Sequence, residues 1–431
     1  MSRKATKVAI MLVIQILLLS FSNCWAESVS DNTTENDAVY SCGDFEYVLH
    51  DDGSAELVGY TGQGGEIVIP NELNGHPIMA VQGNPFHNLG YGTYSVGVHK
   101  DHPYLATIDG VLFGKADRKV ICFPNSLRIT DYTVPEGIQH IGDYAFYWCG
   151  GLQRITLPSS LLSIGDYAFW GCHGLRSVSI PDGVNLIGEK AFAWSNQLST
   201  VSIPDTVTSI GEGVFCNSTK LESVIISDSQ PCLIFLDGVL FTRTQDCLLW
   251  FPPNRQVSEY SVPDSVVRIG IGAFCESDLQ SIIIPESVSS IGAEAFYGCG
   301  RLTDLVIPNG VSRLEEKTFW YCSRLRRVSL PASLVSIEYQ AFYSCRDLRE
   351  IELPDTLLSI GEEAFSNCWA LNSITIPDAV SFIAEHAFSD CPNLSIRVIA
   401  DSYAESYCIA NRLNYSVVDQ SIGDAPTDWL D

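Results

Sequence analysis

The sequence predicts a β-rich solenoid, a stack of short coils closed by a β-hairpin at its start and a short helix at its end. The first observation behind this is a repeat. Ile141-Gly142-Asp143-Tyr144-Ala145-Phe146-Tyr147-Trp148-Cys149 returns as Ile164-Gly165-Asp166-Tyr167-Ala168-Phe169-Trp170-Gly171-Cys172, 23 residues later. Further copies place their phenylalanine at Phe192, Phe215, Phe274, Phe296, Phe319, Phe342, Phe365 and Phe388, and eight of the nine intervals are 22 or 23 residues. A fixed period of this length marks one unit that stacks only on its neighbours. The second observation is the grammar inside a period. In Leu152-Gln153-Arg154-Ile155-Thr156-Leu157-Pro158 the residues Leu152, Ile155 and Leu157 point in and Thr156 points out. Proline then ends the strand, because it has no N–H for a ladder. A second extended piece, Leu161-Leu162-Ser163-Ile164, leads to Gly165, read as the residue that permits a sharp bend. Ala168 and Phe169 then plug the coil.

In chain order, residues 1–26 read as a secretory signal. Arg3, Lys4 and Lys7 precede an apolar run from Val8 to Phe21, and Cys24-Trp25-Ala26 offers a cleavage site after Ala26. The run is short for a membrane span. Residues 27–39 are polar and acidic and read as a flexible leader. Residues 40–140 hold the N-terminal cap, degenerate repeats and an inserted unit. The cap is a hairpin, Phe45 to Leu49 and Ala55 to Tyr60 around Asp51-Asp52-Gly53, and Phe86 marks a degenerate repeat. Residues 141–230 and 264–400 are regular coils, separated by a second inserted unit at 231–263. The two inserted units are alike: Asp109-Gly110-Val111-Leu112-Phe113 recurs as Asp237-Gly238-Val239-Leu240-Phe241, 128 residues on. Each reads as a variant coil with an extra hairpin. Residues 401–431 comprise a helix from Ser402 to Asn411 that closes the end, and an acidic tail. Residues 130–400 are expected to form one elongated rod, lengthening by ~4.8 Å per coil.

Fifteen cysteines would suggest a disulfide framework in an exported chain. Position argues otherwise. Cys149, Cys172, Cys299, Cys322, Cys345, Cys368 and Cys391 each lie three residues after a repeat phenylalanine, and Ser195, Ser218 and Ser277 fill that slot elsewhere. A slot that accepts either residue wants a small, slightly polar group inside the coil, so these thiols are expected to be free.

The formal charge of -26 excludes nucleic acid and anionic membrane surfaces as partners. No Gly-rich phosphate loop, nucleophile elbow or zinc-protease motif occurs. The eight histidines are scattered, and His99 and His102 read as loop surface without metal-ligand company. No catalytic residue, metal or cofactor is therefore assigned. Asn32, Asn217, Asn393 and Asn414 head glycosylation-type triplets.

The order leucine, strand, isoleucine-proline, valine, isoleucine-glycine, alanine-phenylalanine, cysteine resembles the BspA-like leucine-rich repeats of bacterial and protist surface proteins, over about residues 40–415. The resemblance implies a curved solenoid with a parallel sheet on the concave side and irregular or short extended structure opposite. It also implies a secreted or surface-bound protein that binds other proteins, often as an adhesin. The tail Thr427-Asp428-Trp429-Leu430-Asp431 carries no wall-sorting signal, unlike the surface-anchored members.

Two outward features stand above packing. The two positions after the repeat phenylalanine carry Tyr147, Trp148, Trp170, Trp194, Tyr297, Trp320, Tyr321 and Tyr343, which would form a ridge along one edge. A basic island, Arg301, Arg313, Lys317, Arg324, Arg326, Arg327, Arg346 and Arg349, interrupts an acidic chain. Both coincide in residues 313–349. Trp320, Tyr321, Arg324, Arg326, Arg327, Tyr343 and Arg349 are thus the candidate protein-binding residues, since Trp, Tyr and Arg dominate interface hot spots. The function predicted is non-enzymatic binding of an extracellular or host-surface protein. The alternative is a structural module of a larger surface assembly without its own ligand.

Overall fold

The computed structural model describes residues 38–89 and 94–418. The secretory-signal assignment, Asn32 and the acidic tail lie outside the described residues. Each regular coil supplies two short strands to two parallel ladders. Ser177–Ser179 pairs with Thr200–Ser202, which pairs with Ser223–Ile225. On another side of the same coils, His140–Ile141, Ser163–Ile164, Leu186–Ile187 and Ser209–Ile210 pair in turn. A third set of bonds joins the phenylalanine segments, as Phe146 N–H donates to Ala168 O at 2.8 Å and Trp148 N–H to Trp170 O at 2.8 Å. With backbone groups satisfied coil to coil on three sides, the interior is left to side chains.

That interior is a stack of rings. Phe146, Phe169 and Phe192 follow at 4.9 and 5.2 Å, and Phe274, Phe296, Phe319, Phe342, Phe365 and Phe388 at 5.2 to 5.5 Å, nearly parallel. The Cys/Ser slot has a definite task. The Cys172, Cys322, Cys345, Cys368 and Cys391 thiols donate to the carbonyls of Phe146, Phe296, Phe319, Phe342 and Phe365 at 3.0–3.2 Å. Ser195 and Ser218 make the same bond to Phe169 and Phe192. A small side chain with one donor is what the buried phenylalanine carbonyl requires. All described cysteines are free.

Two local readings change. Gly165 does not adopt a positive φ. It is glycine because a Cβ there would lie 2.7 Å from Asp143 N of the preceding coil. The left-handed positions fall two residues before and two after each phenylalanine. They hold Tyr144, Tyr167, Lys190, Gly213, Gly272, Glu294, Lys317 and Gln340 on one side, and Trp148, Gly171, Trp194, Asn217, Glu276, Gly298, Tyr321 and Ser344 on the other. Each non-glycine residue there carries a cost of about 1 kcal/mol.

The ends are capped. The hairpin Phe45–Leu49 and Ala55–Tyr60 extends through a parallel pairing to His76–Val81. It buries Tyr47, Ala55 and Leu57 against Ile67, Ile69 and Phe86. At the other end Ser402 caps the helix Tyr403–Ala410 by accepting from Glu405 N–H at 3.1 Å, while the Glu405 carboxylate accepts from Asp401 N–H. Ala404, Tyr407 and Cys408 cover the last coil, and the Tyr407 hydroxyl donates to Ala384 O. A further strand, Tyr415–Val418, pairs with Ser395–Ile399.

The inserted units are walls between cores. In the second, Leu233–Leu236, Val239–Thr242 and Cys247–Trp250 form antiparallel neighbours, and the last pairs in parallel with Arg268–Ile269. Strand alternation sends Leu240 and Trp250 into the core before the wall, and Val239, Phe241 and Leu248 into the core after it. The first wall divides in the same way: Leu112 and Ile121 face the N-terminal core, whereas Val111, Phe113 and Val120 face the next. Phe123 and Phe251 then start new ring stacks, on Phe146 at 5.1 Å and Phe274 at 5.3 Å.

A wall present on one side and absent on the other bends the array, so residues 130–400 are not one straight rod. Along the phenylalanine edge the coils flanking the second wall touch directly. Glu212 pairs with Arg268 at 3.1 Å, and its carboxylate also accepts from Ile271 N–H. The bend brings next-nearest coils together there: Trp194 meets Tyr297 at 5.9 Å and Lys190 meets Glu294 at 3.2 Å. The first wall bends the chain toward the same edge. Asn84 Nδ2 donates to Tyr144 O at 3.0 Å, and His87 stacks on Tyr144 at 4.3 Å.

Cys322→Ser, which keeps the donor to Phe296 O, is expected to change stability by less than about 1 kcal/mol. Phe342→Ala, which breaks the ring stack, is expected to lose about 3–5 kcal/mol. Urea unfolding of both variants checks this ranking.

Candidate ligand-binding cleft

The two bends turn the aromatic edge into the inside of a curve. A cleft of about 610 Å³ opens there, lined by Tyr144, Tyr147, Tyr167, Trp170 and Trp194 from the middle coils and by Tyr297, Trp320, Tyr321 and Tyr343 from the coils beyond the second wall. His87 and Asn88 close the N-terminal side. The rings form three inter-coil stacks. Tyr144 lies on Tyr167 at 4.9 Å and Tyr147 on Trp170 at 4.8 Å in one wall. Trp320 lies on Tyr297 at 4.3 Å, with Tyr343 beyond it at 6.0 Å, in the other. At the vertex Ala193, Cys216, Cys275 and Tyr297 form a small buried cluster of their own, against which Trp170, Trp194 and Trp320 pack.

Lys190 and Glu294 clamp the vertex. Their side chains are 13% and 14% exposed. Burial by itself would lower the Lys190 pKa, but Glu294, Cys216 and Glu189 outweigh it and the net shift is upward. The ammonium also lies 5.9 Å from the Tyr167 ring. Because the folded pKa is raised, the stabilisation is fully present below the unfolded value of about 10.4 and is lost only as pH rises through the folded pKa. The Tyr167 hydroxyl donates to Glu189 at 3.0 Å. Its pKa is pushed up by burial first and then by Glu189.

Four lining aromatics, Tyr144, Tyr167, Trp194 and Tyr321, occupy left-handed positions where other coils use glycine.

The seven candidate residues do not share one surface. Trp320, Tyr321 and Tyr343 line the cleft; Arg324, Arg326, Arg327 and Arg349 do not. Those four are exposed. Arg326 and Arg349 sit on neighbouring coils, as Arg349 N–H donates to Arg326 O. Arg327 starts the strand Arg327–Ser329, where its Nε lies 3.4 Å from Asp304, and it borders a second groove with Ile283 and Val306. Three other members of the basic island are engaged. Arg313 bonds Glu315 and Glu338, Lys317 bonds Glu316, and Arg346 covers the Trp369 ring at 4.6 Å.

Sequence spacing missed Tyr144, Tyr167, Lys190 and Glu294, which lie two residues before their phenylalanines. The signal was there in Gly213 and Gly272, which mark that column as left-handed and outward. His102 is not loop surface. It is buried, with Nδ1 accepting from the backbone N–H groups of Tyr104 and Leu105. Asn217 is buried as well, so its triplet is inaccessible in the folded chain. Among the described residues no helix is long and apolar enough to cross a membrane, and no group of three or more His, Cys, Asp or Glu is placed to hold a metal ion.

The BspA type leucine-rich repeat region model matches in six copies, over residues 119–232, 251–346 and 318–419. The chain belongs to this leucine-rich repeat family. Similar solved structures include a leucine-rich repeat protein from Eubacterium ventriosum (20% identity, covering 82% of this chain and 95% of that one, TM-score 0.49). Others are a leucine-rich cell surface protein from Faecalibacterium prausnitzii (23%, 87% and 98%, TM-score 0.47) and the pneumococcal vaccine antigen PcpA (16%, 90% and 100%, TM-score 0.46). No curated protein matches the chain.

Lys190→Met leaves Glu294 buried and unpaired, and is expected to destabilise by about 3–5 kcal/mol, whereas Lys190→Met with Glu294→Leu recovers most of that loss. A double-mutant cycle by urea unfolding measures the coupling.

Proposed function

We propose that the chain is a non-enzymatic, secreted or cell-surface binding protein that holds a protein ligand in the aromatic cleft. The observation that carries this is the convergence of nine Tyr and Trp side chains, from Tyr144 to Tyr343, on one concavity. Aromatic anchors of this kind supply most of the energy in protein interfaces. Membership of a leucine-rich repeat family, whose stacked coils present extended binding surfaces, supports a binding role, in adhesion or host contact. Trp320, Tyr321 and Tyr343 are the candidate residues retained for the cleft. The exposed row Arg324, Arg326, Arg327 and Arg349 is a separate surface.

The test uses side chains that the coils themselves accept. Tyr321→Gly places glycine where Gly171 and Gly298 already stand, and Tyr343→Ser copies Ser366 of the next coil. The double variant is expected to melt within a few degrees of the parent and to bind at least about tenfold more weakly, a loss of ~1.4 kcal/mol or more. The ligand is the partner recovered from host extracellular-matrix and epithelial surface proteins. If affinity is unchanged there but falls in Arg326→Ala/Arg327→Ala/Arg349→Ala, the site is the arginine row.

A further inference from the structure

We propose that the segment taken by the cleft is basic, a stretch of partner chain carrying Lys or Arg. This rests on the cleft being the ligand site and goes on to its chemistry. Both lysines that line it are already neutralised by glutamates that line it too, Lys190 by Glu294 and Lys317 by Glu316. Carboxylates surround the tyrosines. Asp143 and Asp166, both exposed, directly precede the lining residues Tyr144 and Tyr167, and Glu189 accepts from the Tyr167 hydroxyl at 3.0 Å. The cleft also shows what it stabilises in the cations it already holds, the Lys190 ammonium between Glu294 and the Tyr167 ring and the Lys317 ammonium between Glu316 and the Tyr339 ring. A chain of formal charge -26 reinforces the same sign. An anionic ligand meets no unpaired cation among the described lining residues.

A neutral sugar fits less well. Sugar rings stack on open aromatic faces, and here six of the nine rings cover one another, with interplanar angles of 4°, 13° and 14° in the Tyr144–Tyr167, Tyr147–Trp170 and Tyr297–Trp320 pairs. Such stacks present ring edges, hydroxyls and indole N–H groups. Ring edges carry positive partial charge, and with the hydroxyl and indole donors they suit peptide carbonyls, while the carboxylates suit basic side chains.

Titration of intrinsic tryptophan fluorescence tests this in the full chain, with octalysine, octaglutamate and a neutral hexasaccharide as probes. Octalysine is expected to bind, to bind at least tenfold more weakly in Tyr321→Gly/Tyr343→Ser, which alters no charge, and to be released at 1 M salt. Octaglutamate or hexasaccharide binding that the same variant abolishes overturns the ligand class and leaves the cleft as the site. Octalysine binding indifferent to the variant, or no binding, overturns the proposal.

A second observation stands independently of the ligand. Cys216 and Cys275 are the only cysteines directly following a repeat phenylalanine, in a column otherwise filled by Tyr, Trp, Ala and Ser. The bend puts both in one small buried cluster at the vertex, with Ala193 and Tyr297. We infer that these two thiols form a disulfide across the vertex when the chain folds in the presence of a disulfide donor. The pair gives up two protons and two electrons, and the donor is reduced to two thiols. Refolding the full chain with oxidised glutathione, then alkylating and mapping peptides without reduction, is expected to yield a Cys216–Cys275 linkage with the ladder cysteines alkylated. The urea midpoint should rise, and Cys275→Ser should abolish that rise. Glutathione adducts at Cys216 and Cys275, bridges within the ladder, or free thiols throughout would overturn it.

Discussion

Stacked phenylalanine rings about 5 Å apart fix the spacing and register of the regular coils in this chain. A ring spacing close to the ~4.8 Å between paired strands lets the interior stack and the backbone ladders advance together. Each side chain is then carried to the same place in every coil, so a residue type repeated at one offset becomes a column. The Cys/Ser slot, the Gly165 contact and the left-handed positions all follow from that register. Their identities answer to the neighbouring coil more than to their own.

A cleft in such an array requires the register to be interrupted. A straight stack would spread the aromatic column along one edge as a ridge. The inserted walls interrupt it on one side only, since their three strands separate Phe215 from Phe274 while Glu212 and Arg268 remain in contact at the other edge. The edge that lacks the wall closes, and the ridge becomes a cleft. The Lys190–Glu294 pair, 104 residues apart in sequence, is a direct ion pair across that closure. Leucine-rich repeat arrays bind through surfaces that their curvature creates, and here curvature is concentrated at two homologous joints.

Much of this was legible in the sequence because the period is legible. Phe146 to Phe388 located the coils, Pro158 and its equivalents ended the strands, and Ser195 beside Cys172 identified a packing slot. The closing helix was read as Ser402 to Asn411, without its Glu405 cap, and the kinship of the two inserted units was plain in Asp109–Phe113 and Asp237–Phe241. Two things were not legible. Which side of the coil an inserted strand occupies is a matter of three-dimensional placement, so the bend was invisible and a rod was expected. Closeness in sequence was also a poor guide to a shared surface. Tyr321 and Arg327 are six residues apart, yet the chain turns a corner of the coil between them, placing one in the cleft and the other on the strand face. Lys190 and Tyr297 share a site because of that bend.

The central claim is that the second wall folds the aromatic edge upon itself. Nitroxide labels on Gln197 and Arg301, exposed equivalents on the two coils that carry Lys190 and Glu294, read this closure by pulsed electron resonance. In a straight array three ordinary coil steps and three inserted strand layers would separate them by about 29 Å, at ~4.8 Å per layer. The bent array predicts one population at roughly 20 Å or less, as befits coils in side-chain contact at one edge. A distribution centred near the straight-array distance would contradict it.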